Sequence, residues 1–270
     1  MLRIGIVLLI GVGIIGFRYC SAEEGRVPIT GREQRVSLSD EQQMKLGAQY
    51  YDRFLQQSSG AVIDSGPQYE VVTSVTERII AVAEEHKPEF EWEVTLIEDP
   101  QANAFCLPGG KMVVYTGILE PAGDEAGLAT VLGHEVAHAV AEHGAERIFR
   151  QELTDTAVQF AAGAFADDPV EFRNIAGLLG AGAQVGLNLP WSRDQESEAD
   201  HIGLIYMARA GFDPRAAVRF WEAMEKATQG QKTPPEYLST HPESGTRIQQ
   251  IQEWLPAALE EYDARSVGGD

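Results

Sequence analysis

The chain has few cysteines and few positive charges. Only two of its 270 residues are cysteines, which excludes a small scaffold held together by disulfides. Lysine and arginine number 21 against 41 aspartates and glutamates, so the formal net charge is −20. A surface this negative repels phosphate groups, and we therefore expect no nucleic-acid partner. The hydrophobic fraction of 44% is ordinary for a globular protein and argues against intrinsic disorder.

The N-terminus carries an apolar run that is short for a membrane span. Residues 4–17 are uncharged and mostly apolar, and they lie between two arginines. As a helix they would rise about 21 Å, less than the roughly 30 Å of a hydrocarbon core. The small residues Cys20 and Ala22 fit cleavage after Ala22, so residues 1–22 are predicted to be a signal peptide for export to the periplasm. A lipoprotein attached through Cys20 and an uncleaved anchor are the alternatives.

Cleavage at that point changes both the charge and the thiol content of the chain. It would remove two arginines and no acid, so the mature net charge would be −22 with Cys106 as the one remaining thiol. Exported proteins that need covalent stapling carry paired cysteines. We therefore expect this fold to hold without a disulfide.

Hydrophobic spacing divides the rest of the chain into many helices and few strands. Residues 23–37 are polar, contain Gly and Pro, and are predicted to be an extended leader. Residues 38–265 are predicted to form one domain, and 266–270 a flexible tail. Helices are predicted at about 39–57, 68–85, 125–152, 194–210 and 213–228, with a final helix ending near 262 after a Pro-containing loop at 231–243; strands are predicted near 92–96 and 112–115. This pattern indicates an α+β chain, mostly α, with a small β-sheet.

Residues 153–190 are rich in Ala and Gly and carry few charges. We expect them to be mostly helical. A loose association with a membrane, through this segment or through the N-terminus, is an alternative. The uncharged stretch 175–190 has only 16 residues, which is too short for a full span.

The strongest chemical signal is the sequence His134-Glu135-Val136-Ala137-His138 on the predicted long helix. Residues i and i+4 share one face of a helix, so both imidazoles can reach a single ion with Glu135 beside them. Two exposed histidines on a surface helix would show the same spacing only by coincidence. The apolar residues around the motif favour a buried, rigid helix instead.

A catalytic zinc site needs a third protein ligand and a fourth position that stays open for water. His143 is one candidate, but it would lie on a different face of the same helix from His138. Glu196 and Asp200 are i and i+4 on a later helix, where Glu196 could bind the ion while Asp200 holds a ligand histidine. Glu198 is a rival ligand that points roughly 160° away from Asp200. A solvated acidic helix start would show the same residues.

Three separated segments resemble a known family of peptidases. They are HEVAHAVAEHGAER at 134–147, SRDQESEADHIGL at 192–204 and THPESGTR at 240–247. Over residues 28–255 the chain resembles the gluzincin-type zinc metallopeptidases that include the CAAX prenyl endopeptidases, HtpX, Oma and BepA. The resemblance is to a short periplasmic branch without tetratricopeptide repeats. It implies a zincin-like metallopeptidase domain with its small β-sheet beside the HExxH helix.

The resemblance also implies the residues that carry the chemistry. It makes His134, His138 and Glu196 the ligands of one zinc ion and Glu135 the catalytic base. Asp200 becomes the partner that orients a ligand histidine.

Three further parts of the chain are placed near the site by the same resemblance. Arg247 is implied in the layer behind the ligands. His241 is implied close to the zinc, where it could donate a hydrogen bond to the developing oxyanion; in closed forms of some relatives such a loop is thought to block the metal. Asn103, Ala104 and Phe105 are similar to an edge strand that could bind an extended peptide by β-augmentation.

The implied function is a zinc-dependent endopeptidase that cleaves unfolded or misassembled envelope proteins in their extended form. The alternative is a zinc-binding periplasmic chaperone or assembly factor whose peptidase is latent. An intact base at Glu135 favours the enzyme, because a protein that only binds has no need of one.

Overall fold

A computed structural model describes residues 2–58, 62–166, 168–173, 192–228, 236–241 and 245–267. Its helices and small sheets confirm the predicted class, α+β and mostly α. The chain divides into two compact units. The first is Met1–Arg26, Glu33–Ser39 and Gly144–Leu189, and the second is Val27–Arg32, Asp40–His143 and Pro190–Asp270. We describe the two units separately.

The first unit begins with helix α1, Leu2–Ser21, which packs on helix α6, His143–Phe165. A Cβ added to Gly11 would come within 2.7 Å of Phe160, and the Arg3 guanidinium donates to the Ala166 carbonyl at 2.7 Å. Helix α1 is longer than the predicted apolar run and rises about 30 Å. Of the described helices, it alone is long and apolar enough to cross a membrane.

The predicted extended leader is a paired structure. Strand β1, Glu23–Arg26, pairs antiparallel with β2, Glu33–Val36. The extended conformation was expected, but the pairing was not, because polar residues with Gly and Pro give no alternating pattern. Part of the Ala- and Gly-rich segment 153–190, for which membrane association was the alternative, lies outside the described residues, at 167 and 174–190.

The second unit contains a four-stranded sheet in the order β3-β4-β6-β5. Strands β4 and β6 are parallel, whereas β3 and β5 pair antiparallel with their neighbours. The strands are β3 Val62–Ile63, β4 Glu93–Ile97, β5 Ala104–Cys106 and β6 Lys111–Tyr115. Strand β5 lies at the edge of this sheet.

Helices of the second unit surround a core of buried aliphatic side chains. They are α2 Asp40–Ser58, α3 Pro67–Ala83, α4 Leu119–Ala122, α5 Glu125–Val140, α7 Arg193–Arg209, α8 Ala216–Thr228, α9 Glu236–Thr240 and α10 Arg247–Val267. Helices α5 and α7 touch through two glycines: a Cβ on Gly133 would meet the Gly203 carbonyl oxygen at 2.9 Å. This close approach brings the HExxH motif beside the acidic residues of α7.

The predicted long helix at 125–152 is wrong, because the chain breaks it into α5 and α6. Glu142 has a left-handed backbone with φ of 52°. Its carboxylate accepts a hydrogen bond from Gln43 at 2.5 Å and pairs with Lys87 at 3.2 Å. These long-range contacts stabilise a left-handed turn at a residue that is not Gly.

Two boundaries near the C-terminus also differ from expectation. The loop predicted at 231–243 contains helix α9, and helix α10 continues to Val267, past the predicted start of the tail at 266. Helix α9 is short, and the prolines before it gave a loop signal.

Candidate metal centre

Helix α5 holds the first two candidate ligands in a fixed position. Asp124 caps its N-terminus by accepting a hydrogen bond from the Gly127 amide at 2.7 Å. Every residue from Gly127 to Val140 is buried, which is expected of a helix that is apolar on all sides. His134, Glu135 and His138 are each 2% exposed. Their side chains therefore have little freedom to leave the site.

Four side chains direct donor atoms toward one point. His134, His138, Glu196 and His241 each offer an atom, and all four atoms lie within 4.8 Å of one another. The Nε2 of His134 lies 3.1 Å from both His138 Nε2 and His241 Nδ1. The Oε1 of Glu196 lies 3.2 Å from His138 Nε2 and 3.0 Å from His241 Nδ1. Separations of roughly 3.3–3.5 Å join the corners of a tetrahedral zinc site, so the observed spacing is close to that of four ligands.

The chemistry of these donors suits a cation. Nδ1 of His134 faces the Asp200 carboxylate at 2.9 Å, so this nitrogen donates and Nε2 directs a lone pair at the other donors. Burial lowers the pKa of His134, but the Glu196 charge and the Asp200 hydrogen bond raise it to about 9, so a metal ion would displace the proton from Nε2 before binding there. Despite its own burial, Glu196 has a pKa well below the usual value because of His241 and His134. Converging lone pairs beside a buried carboxylate therefore fit a metal ion.

Asp200 and Arg247 lie directly behind the donors. Nε and Nη2 of Arg247 donate to the two oxygens of Asp200 at 2.5 and 2.7 Å. The third guanidinium nitrogen, Nη1, lies 2.9 Å from Glu196 Oε2. The guanidinium carbon lies 3.5 Å from the ring centroid of Trp221. One buried cation thus fixes both acidic residues of α7 at this site.

Glu135 lies beside the donors without joining them. Its Oε1 is 3.4 Å from His241 Nε2, yet this buried oxygen has no hydrogen-bond partner among the described residues. Burial raises the pKa of Glu135, and the charges of His241 and His134 oppose that rise. A carboxylate with an unsatisfied oxygen and a raised pKa has the properties of a general base.

The other two candidate ligands from the sequence stay outside the donor cluster. His143 is the first residue of α6, whereas it was expected to lie on another face of the helix that carries His138. Its Nε2 lies 3.0 Å from Glu198 Oε2. Glu198 also binds Thr30 and Arg32 and does not join the donor cluster. The remaining histidines bind elsewhere: His86 lies 2.9 Å from the Tyr206 hydroxyl, and His201 stacks on Trp254.

Tyr237 is a neighbour of the site that the sequence did not reveal. It lies on α9 and stacks on the His241 ring with centroids 4.6 Å apart. Burial and the Glu135 charge raise the pKa of its phenol well above the usual value. The spacing of four residues between Tyr237 and His241 was a usable signal, but it was hidden by the loop prediction for this segment.

Strand β5 lies next to this site, because the Tyr237 amide donates to the Ala102 carbonyl at 3.0 Å. The side chains of Asn103 and Ala104 are buried, and Phe105 packs against α2 residues. Asn103 and Leu107 bond to β6, so the backbone groups of residues 104 and 106 face the side of β5 that has no strand partner among the described residues. An extended peptide at this edge would therefore meet backbone and not the three predicted side chains.

Comparisons with known proteins place this site in a family. The model of Peptidase family M48 matches residues 68–255. The mitochondrial metalloendopeptidase OMA1 of Schizosaccharomyces pombe is 38% identical over 252 residues, which cover 93% of this chain and 71% of that protein. The bovine metalloendopeptidase OMA1 is 34% identical over 243 residues, covering 86% of this chain and 46% of that protein.

A bacterial protein is also similar to this chain. The beta-barrel assembly-enhancing protease of Escherichia coli is 29% identical over 227 residues, covering 82% of this chain and 45% of that protein. The chain thus spans about half the length of the bovine and bacterial relatives. The resemblance found in the sequence and the expected enzyme class, a metalloendopeptidase, are confirmed. The family model matches most of this chain, and one relative is 38% identical to it. This chain therefore belongs to peptidase family M48.

Proposed function

We propose that the protein is a zinc-dependent endopeptidase that hydrolyses peptide bonds in unfolded or misassembled envelope proteins. The observation that carries this proposal is Glu135, a buried carboxylate with an unsatisfied oxygen beside a cluster of four donor atoms. His134, His138 and Glu196 would hold the metal. Three nitrogen and oxygen ligands of this kind are typical of catalytic zinc.

The protein's own residues divide the work around the metal. Bound zinc supplies Lewis acidity, which acidifies water and polarises a carbonyl group. Glu135 Oε1 takes the proton from the attacking water and delivers it to the leaving amine. Asp200 holds His134 in the tautomer that directs Nε2 inward, and Arg247 holds Asp200. Burial of all these groups strengthens their electrostatic interactions.

The open edge of β5 supports an extended polypeptide as the substrate. Backbone groups of residues 104 and 106 can pair with a peptide strand whatever its sequence, which suits a protease for unfolded chains. The bacterial relatives are named for β-barrel assembly, and this favours envelope proteins as the class. Residues 1–22 are proposed to direct export, as a cleaved signal or as a retained anchor. The mass of the mature N-terminus distinguishes these two outcomes.

Metal analysis and digestion of an unfolded substrate test the enzyme directly. We expect about one zinc per chain and cleavage of unfolded casein that a chelator abolishes and added zinc restores. A protein that cleaves casein equally well after complete removal of the metal would contradict the proposal.

A latent peptidase that acts as an assembly factor is the second candidate, and His241 favours it. His241 Nδ1 lies among the donors, so four protein ligands fill the positions of a tetrahedral site and leave none for water. In this closed form, hydrolysis requires His241 to move away. The blocking role of His241 is therefore better supported than the oxyanion-donor role predicted for it.

Removing the imidazole of His241 separates the two roles. If His241 blocks the metal, His241→Ala should raise the rate of casein cleavage several-fold while the zinc content stays near one per chain. His201→Ala is the matched control, because His201 stacks on Trp254 outside the donor cluster. A loss of roughly a hundredfold in kcat for His241→Ala alone would instead identify His241 as a transition-state donor.

A further inference from the structure

His143 and Glu198 form a buried contact that the proposed chemistry does not use. Nδ1 of His143 lies 2.8 Å from Nδ1 of His138, and its Nε2 lies 3.0 Å from Glu198 Oε2. Glu198 accepts further hydrogen bonds from the Thr30 hydroxyl at 2.5 Å and from Arg32 Nε at 2.7 Å. A chain of hydrogen bonds therefore connects Thr30 and Arg32 to a candidate metal ligand.

The break between α5 and α6 makes this contact possible. In a continuous helix, residues five apart are rotated by about 140°, so the rings of His138 and His143 could not meet. The left-handed turn at Glu142 ends α5 and starts a new helix at His143. The ring of His143 is thereby turned back onto His138, and it is fully buried there.

The protons in this series of hydrogen bonds can be assigned in one consistent way. A ligand that binds a cation through Nε2 must carry its proton on Nδ1, so His138 donates to His143 Nδ1. His143 must then accept at Nδ1 and carry its own proton on Nε2, which faces Glu198. Glu198 accepts this hydrogen bond as well as those from Thr30 and Arg32, so its carboxylate is the terminal acceptor. Each hydrogen bond from His138 to Glu198 then has one donor and one acceptor.

We propose that His143 and Glu198 are positioning residues that fix the orientation and tautomer of His138, with Thr30 and Arg32 anchoring the carboxylate. His134 receives the same support directly from Asp200. His138 receives it across an intervening imidazole. This inference rests on the proposed metal-binding function.

Two substitutions at residue 143 test the hydrogen bond itself. An Asn amide oxygen occupies nearly the place of His Nδ1 and can accept from His138, whereas Leu cannot. We expect His143→Leu to weaken zinc binding about 10–100-fold, measured by competition with a chromogenic chelator, and His143→Asn to recover most of the loss. With Co²⁺ as the probe, the visible ligand-field bands should shift in the Leu variant and return toward the parent in the Asn variant.

Glu198→Gln tests the next step of the chain and should weaken zinc binding about tenfold. His86→Leu is the control, because it also removes a histidine hydrogen bond, to Tyr206, and should leave the affinity unchanged. Thermal unfolding of each metal-free variant verifies that it is folded. If His143→Leu does not fold, the zinc affinities of His143→Asn and Glu198→Gln test the proposal instead.

Each outcome bears on a different claim. A parent protein that binds no zinc contradicts the proposed function. If the parent binds zinc but His143→Leu and Glu198→Gln bind it equally well, the positioning role is wrong. Equal weakening in His143→Leu and His143→Asn would also overturn it, since the residue would then act through packing and not through an acceptor atom.

Discussion

Glu135→Gln should abolish peptide hydrolysis while the protein keeps its metal. The amide has nearly the same shape as the carboxylate but cannot accept a proton, and general-base catalysis contributes about 10²–10⁴-fold to rate. We therefore expect casein cleavage to fall by about a thousandfold or more. Glu135 does not join the donor cluster, so zinc content should remain at the parent value. The measurements are initial cleavage rates and metal analysis of the same preparation.

The matched control for this change lies on the same helix. Glu125, the first residue of α5, is exposed, and Glu125→Gln should leave both cleavage and zinc content unchanged. Cleavage by Glu135→Gln at the parent rate would show that another group is the base. Rescue of a deletion strain by Glu135→Gln would show that the latent, assembly-assisting role is the one the cell needs.

Arg247→Met should cause the largest loss of stability. Arg247 is 2% exposed and is the cation that pairs with both Asp200 and Glu196. Methionine keeps the aliphatic stem beside Trp221 but leaves two buried carboxylates without this partner. Removing one member of a buried ion pair costs about 3–5 kcal/mol. For a domain of this size we expect Tm to fall by roughly 10 °C.

A surface arginine provides the comparison. Arg209 pairs with Glu261 at 2.7 Å, and both side chains are about one-third exposed. Such pairs contribute less than about 1 kcal/mol, so Arg209→Met should lower Tm by a few degrees at most. Calorimetry of the metal-free proteins measures both changes. Equal shifts in the two variants would show that the buried cation has no special role in stability.

Local spacing predicted the parts of the site that lie within one helix. His134 and His138, and Glu196 and Asp200, are each separated by four residues, and the structure brings both pairs together. The position of His241 came from the family resemblance alone, because a loop residue far along the chain has no periodic pattern. Nothing in the local sequence could place it among the donors.

Features that depend on distant contacts were missed. The left-handed residue of the turn between α5 and α6 is Glu142 and not a Gly, and its backbone is held by Gln43 and Lys87 from elsewhere in the chain. The partners of Glu198 follow from that turn, because they require His143 to fold back. Tyr237 was missed since prolines outweighed helix signals over the short α9.

The donor cluster has a thermodynamic consequence for a chain without disulfides. Its members come from three segments, with His241 lying 107 residues after His134 and 45 after Glu196. An ion bound there would cross-link α5, α7 and the end of α9, closing loops that are costly to order in the unfolded chain. Because the unfolded chain does not gather these donors, the free energy of unfolding would rise with the concentration of free metal. The same four side chains would then provide the cross-link that paired cysteines provide in disulfide-bonded proteins.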